Sequence, residues 1–139
     1  RYLIDKGYLT ENSETNGYSV AISDQCYTFV RNLISKEKPL LTALRERYPM
    51  VLVSNFYGNV QAVLADFGLL EYFDDIIESA VVGVRKPDPA IFGLGVEKLG
   101  LPGSEIVVIG DSYTKDIVPA EKNGCQTVWL KGKGWGDDD

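Results

Sequence analysis

The sequence predicts an α/β fold with a Rossmann-like, doubly wound parallel sheet. Three observations carry that prediction. Short, continuous apolar runs recur along the chain, stretches with helical spacing separate them, and glycines close those stretches. Strands alternating with helices in this way form βαβ units, whose right-handed crossovers put helices on both faces of the sheet.

Residues 1–18 are polar and rich in turn formers (Asn12, Ser13, Asn16, Gly17). A helix is predicted over 23–36, capped by Ser23, with Cys26, Val30, Leu33 and Ile34 on one face. Pro39 suits a first helical turn, so a second, short helix runs from there through Leu40, Leu41 and Leu44 to Tyr48. Met50–Val53 is wholly apolar, as expected of a strand covered on both faces. Val60, Val63, Leu64 and Phe67 keep helical spacing, and Gly68 closes that helix. Ile76 and Ile77 mark a short strand. Asp88–Leu99 is an amphipathic helix with Ile91, Leu94 and Leu99 inward, stopped by Gly100. Ile106–Ile109 is another apolar strand, Lys115–Asn123 a short helix closed by Gly124, and Gln126–Leu130 the last strand.

Composition narrows the function. The chain has 139 residues, 45% hydrophobic and 24% charged, which suits one buried core in an ordinary globular protein. The net charge of −6 repels a nucleic-acid backbone, so no nucleic-acid partner is expected. A small phosphorylated ligand remains compatible, because a local cation can reverse the field inside a pocket. There is no histidine, which excludes Ser-His-Asp and Cys-His catalysis and His-bound zinc. Cys26 and Cys125 are far apart, make no metal pair, and are read as reduced thiols, Cys125 as a small core residue. No apolar run is long enough for a membrane span and no signal peptide opens the chain, so a cytoplasmic address is expected. Arg1 in place of Met, and three terminal aspartates, give both ends the look of cut termini.

Ligands of open α/β sheets bind beyond the carboxyl ends of the strands. Ser54 and Asn55 follow the first apolar run, and Gly110, Asp111 and Ser112 follow the run at 106–109. Between them lies Gly83-Val84-Arg85-Lys86-Pro87-Asp88-Pro89. Together these supply a hydroxyl beside a peptide N–H, an ammonium and a carboxylate, the means to hold a phosphoryl group and a hard dication. Each also has a plainer reading. Ser54 can cap a turn, Lys86 can be a solvated loop residue, Asp111 can be a helix N-cap, and Asp116 can favour a helix dipole. Gly58 reads as turn chemistry, Phe56 as an aromatic near the site mouth and Tyr113 as a packing residue.

The order of these segments resembles the haloacid dehalogenase superfamily over residues 39–130. The strand ending in Ser54-Asn55 is similar to the family's second motif. Gly83 to Phe92 is similar to the third, and Val107 to Ile117, containing Gly110-Asp111-Ser112 and Asp116, to the fourth. The resemblance implies a Mg²⁺-dependent phosphohydrolase acting on a small phosphate monoester through an aspartyl-phosphate. It implies that the Ser54 hydroxyl and the Asn55 N–H bind phosphoryl oxygens, and that Lys86 offsets the charge of nucleophile and phosphate. Asp111 is then a ligand of Mg²⁺, directly or through water. Asp116 completes the acidic end of the site, in the metal's outer shell or by orienting Lys86.

The family's first motif, an apolar strand ending in Asp-x-Asp, is not found. Leu3-Ile4-Asp5 is followed by Lys6-Gly7-Tyr8 with no second carboxylate, so Asp5 is rejected as nucleophile. Residues 1–35 are therefore expected to be the tail of a helical cap and its linker, and 36–139 a core lacking its first strand. In the doubly wound order that strand is central, so its absence leaves two buried edges unpaired. The expectation is a chain that is inactive by itself and takes its central strand from a second chain or fragment. Rival readings are a metal-independent dehalogenase, which Gly110-Asp111-Ser112 with Asp116 disfavours, and a non-catalytic interaction domain of the same fold. A receiver-type signalling domain lacks the acidic pair it needs at an early strand end.

Overall fold

A computed structural model describes residues 13–132, with side chains from residue 17 onward. The expectations for residues 1–12, Asp5 among them, and for the acidic tail lie outside the described residues. The chain divides into two compact units, one ending at Leu41 and the other beginning at Thr42.

Helix α1 runs from Ser13 to Arg45, 33 residues with Pro39 inside it. This corrects the expected division into two helices at Pro39. Proline removes one helical N–H bond and crowds the carbonyl four residues back, at Ser35. The strong helix formers on both sides, Lys36, Glu37 and Lys38 before it and Leu40, Leu41 and Leu44 after it, carry the helix through. Of the residues expected on one face, Cys26, Val30 and Leu33 are exposed and only Ile34 is half-buried.

In the second unit the elements follow in the predicted order. They are β1 (Val51–Ser54), α2 (Val60–Asp66), β2 (Asp75–Glu78), the single turn α3 (Ser79–Val82), α4 (Ala90–Leu99), β3 (Val107–Gly110), α5 (Val118–Glu121) and β4 (Gln126–Trp129). The helix expected over 115–123 is instead a π-turn, Tyr113–Ile117, leading into α5. Asp88 lies just outside α4, and its Oδ1 accepts from Ala90 N at 2.9 Å, so it serves the first turn from outside.

β1 pairs in parallel with β2, Val51 opposite Asp75 and Ser54 opposite Glu78. β3 pairs in parallel with β4, Val107 opposite Gln126 and Gly110 opposite Trp129. These are two separate two-stranded sheets, and among the described residues no ladder joins β1 to β3. One apolar core nevertheless spans both. Ile91 and Phe92 of α4 meet Ile77 of β2, Ile106, Ala120 of α5 and Cys125, with Val53 and Val108 packed against them. Burial pushes the Cys125 thiol pKa up. β3 departs from the expectation of two covered faces. Val108 turns toward the core, whereas Val107 and Ile109 are 52% and 56% exposed.

Polar contacts fix the ends of these elements. The Arg45 guanidinium donates two bonds of 2.6 Å to the Asp74 carboxylate, which also accepts from Met50 N at 3.0 Å. Those donors hold the Asp74 carboxyl below the usual carboxylate range, the Arg45 bond contributing most. The Asn123 amide donates to the carbonyls of Pro89 at 2.9 Å and Pro119 at 3.0 Å, tying α5 to the start of α4. Gly110 is constrained by contact. A Cβ there would lie 2.4 Å from Asp116 Cβ and 2.8 Å from its Oδ2, closer than any side chain tolerates.

Two outcomes follow. Gly110→Ala should destabilise the chain by about 1–3 kcal/mol, read as a shift in the midpoint of denaturant unfolding, because Asp116 must give way. Iodoacetamide should alkylate exposed Cys26 under native conditions and spare Cys125 until denaturant is added, as peptide mass mapping would record.

Candidate functional site

The candidate residues gather where the strands end. Ser54 is the last residue of β1, and Asn55 follows it, both half-buried. The Asn55 side-chain amide bonds to the peptide of a residue 31 positions away. It accepts from Lys86 N at 2.8 Å and donates to Lys86 O at 3.0 Å. This reciprocal pair is the kind a strand partner would make, and it fixes the backbone from which Lys86 projects.

From there the Lys86 ammonium reaches Asp116 Oδ1 at 2.6 Å, with side-chain exposures of 17% for Lys86 and 7% for Asp116. The other carboxylate oxygen of Asp116 accepts from Ser112 N at 3.1 Å. Both Asp116 oxygens are thus engaged, one by a cation and one by the turn after β3. A nearly buried carboxylate requires such partners, and removing one from a buried ion pair costs about 3–5 kcal/mol. Asp116 also stands in the first turn of the helical segment, as its plainer reading has it.

Asp111 is exposed at the mouth of the same turn. It is not the helix N-cap; that task falls to Ser112, whose Oγ accepts from Lys115 N at 3.2 Å. The Asp111 backbone is held from β4, since the Trp129 indole N–H donates to Asp111 O at 3.1 Å and Leu130 N donates to Gly110 O at 2.9 Å. The Tyr113 ring packs 5.1 Å from the Trp129 ring, in keeping with its reading as a packing residue. Phe56 packs 5.5 Å from Tyr57, and Gly58 takes a φ of 95°, as turn chemistry requires.

The structure thus brings Asn55, Lys86, Asp116 and Ser112 into one bonded chain. Among the described residues no hydrogen bond or ion pair joins the side chains of Ser54 and Asp111 to it. Sequence reasoning missed three contributors. One is the Asn55 side chain, read only for its N–H. The others are Trp129, and the Glu78-Ser79 pair whose bonds reach the turn after β1. The signal for the last was a carboxylate closing an apolar strand, Ile76-Ile77-Glu78.

For a dication, the donors are of the right kind and too few. Carboxylate oxygens suit Mg²⁺, which keeps several waters and needs only one or two protein carboxylates besides a substrate phosphate. Asp111 has a carboxylate open to solvent, while Asp116 is committed to Lys86 and Ser112 N. Among the described residues no group of three or more His, Cys, Asp or Glu converges.

Known proteins share this arrangement of elements. The chain is 28% identical over 129 residues to the 5-amino-6-(5-phospho-D-ribitylamino)uracil phosphatase YigB of Escherichia coli (strain K12), covering 93% of this chain and 52% of that protein. It superposes on the HAD phosphatase from Thermococcus onnurineus with a TM-score of 0.65 and 33% identity, over 70% of this chain and 47% of that one. The HAD-hydrolase YfnB from Bacillus subtilis, bound to magnesium, gives a TM-score of 0.62 at 28% identity, over 70% of this chain and 45% of that one. The chain spans about half the length, or less, of the curated relatives it matches. The family model described as haloacid dehalogenase-like hydrolase matches residues 10–124. With that match over most of its length and an α/β core, this chain belongs to the haloacid dehalogenase-like hydrolase family.

Proposed function

We propose that the complete protein is a cytoplasmic, Mg²⁺-dependent phosphohydrolase of a small phosphate monoester, working through an aspartyl-phosphate. The observation that carries this reading is the 2.6 Å Lys86–Asp116 pair, nearly buried and braced by the Asn55 amide at the carboxyl ends of the strands. An ammonium so placed, on a chain of net charge −6, makes one local site where a phosphoryl group is welcome.

The roles divide by what each group offers. The Ser54 hydroxyl and the Asn55 peptide N–H donate to phosphoryl oxygens. Lys86 offsets the charge that accumulates on phosphate and nucleophile, and Asp116 keeps its ammonium aimed. Asp111, open to solvent, holds Mg²⁺ together with groups from outside this chain, with Asp116 in the outer shell. The bound dication neutralises charge between carboxylates and phosphate. The magnesium-bound relative YfnB supports that assignment.

The nucleophile and its strand come from outside this chain. Among the described residues β1 and β3 each keep one unpaired edge, which supports this, as do the exposed side chains of Val107 and Ile109, which a complete doubly wound sheet would cover. Residues 1–35 are then the tail of a helical cap with its linker, and 36–139 the core that awaits its first strand.

Two experiments test this. The 139-residue chain alone should self-associate in sedimentation, and co-expression with an upstream segment containing an apolar strand ending in Asp-x-Asp should give a monodisperse complex. A monodisperse, cooperatively unfolding chain without that segment would refute the missing strand. In the full-length protein, Asp111→Ala should lower kcat/KM for an aryl phosphate by roughly 10²-fold or more and abolish the response to Mg²⁺. Stability should change by no more than about 0.5 kcal/mol, since Asp111 is exposed. An aryl phosphatase activity untouched by that change would sink the metal assignment.

A further inference from the structure

Glu78 closes β2 opposite Ser54 and is 4% exposed. Its carboxylate accepts from Gly58 N, and Val60 N lies 3.4 Å from each of its oxygens. The next residue, Ser79, accepts from Phe56 N at 3.2 Å and donates to Phe56 O at 3.3 Å. All these bonds reach the backbone of one segment, Phe56–Val60, which leaves directly from Ser54-Asn55. The cap residue of α2, Asn59, makes no side-chain cap bond, and the helix is only 7 residues long. Such a short helix does not hold its first turn by propensity alone.

Burying a carboxylate is costly, and an apolar residue at the end of an apolar strand would avoid that cost. The charge at Glu78 is matched by what it does to the neighbouring turn. On one side Glu78 and Ser79 hold Phe56, Gly58 and Val60; on the other, the Asn55 amide is bonded to the Lys86 peptide. The Ser54-Asn55 step is fixed between these two attachments.

We propose that Glu78 and Ser79 are positioning residues that set the phosphoryl-binding turn after β1, so that the Ser54 hydroxyl and Asn55 N–H meet the phosphate in register. This rests on the reading of Ser54 and Asn55 as phosphoryl ligands. Donors of this kind work only when held to within about 0.5 Å, and displacing them costs up to roughly 10²-fold.

The sign of one substitution separates positioning from simple charge. Glu78→Gln removes a negative charge near the anion, so electrostatics alone would tighten phosphate binding. Loss of the clamp weakens it, because the amide has one acceptor oxygen where the carboxylate has two. The test is titration of inorganic phosphate into the full-length protein with Mg²⁺, followed by the backbone amide resonances of residues 54–60. Glu78→Gln and Ser79→Ala should each raise the phosphate dissociation constant about three- to tenfold. Ile91→Val, which weakens the core away from the turn, should leave it unchanged. Binding by Glu78→Gln as tight as, or tighter than, the wild type overturns the proposal. If that variant does not fold, Ser79→Ala decides, and an unchanged constant there overturns it equally. A wild-type protein that ignores phosphate removes the phosphoryl reading itself, and the clamp with it.

Discussion

The site depends on one nearly buried ion pair. Lys86 and Asp116 meet at 2.6 Å, and each is placed by bonds from a different part of the chain. The Asn55 amide fixes the Lys86 backbone, and the Ser112 N–H fixes the far oxygen of Asp116. Gly110 leaves room for the Asp116 carboxylate against the end of β3. Remove any of these and a charge is left with too few partners in a place where water cannot compensate. This explains why Lys86 and Asp116 occur together, with a glycine at position 110 where β3 ends. It also explains why the carboxylate that resembles a metal ligand spends both its oxygens on the protein.

Around this pair the sheet is divided. α4 packs beneath both halves, and Ile91 and Phe92 give β1-β2 and β3-β4 a shared core. Among the described residues, that core joins the two pairs of strands without a ladder between them. Side chains can bridge a gap that backbone hydrogen bonds cannot, because apolar packing is non-directional and ladder bonds are not. The consequence is that Ser54 and Asn55 at the end of β1 and the acidic turn after β3 belong to different sheets.

The family model of the haloacid dehalogenase-like hydrolases matches residues 10–124, the stretch that holds all the candidate residues. It does not account for Glu78, whose carboxylate serves the backbone of a turn. A buried acid bonded to peptide N–H groups acts at a distance. Its bonds end on the peptide N–H groups of Gly58 and Val60, a few residues along the chain from Ser54 and Asn55.

The sequence by itself determined the elements and the ends at which chemistry collects. Apolar runs and helical spacing are local properties, written in neighbours a few residues apart, and they located Ser54 and Asp111 at the ends of their strands, with Lys86 in the segment between. The same locality explains the errors. A proline reads as a helix start until the flanking residues carry α1 through it, and Lys115–Asn123 reads as a regular helix until its first turn widens around Ser112 and Asp116. Only the tertiary structure decided which side chains meet. Lys86 finds Asp116 across 30 residues, Asn55 finds the Lys86 peptide across 31, and Glu78 finds Gly58 across 20. Those pairings depend on the paths of loops between elements. A carboxylate or an amide shows its partner only when the chain has brought a distant donor within hydrogen-bonding reach.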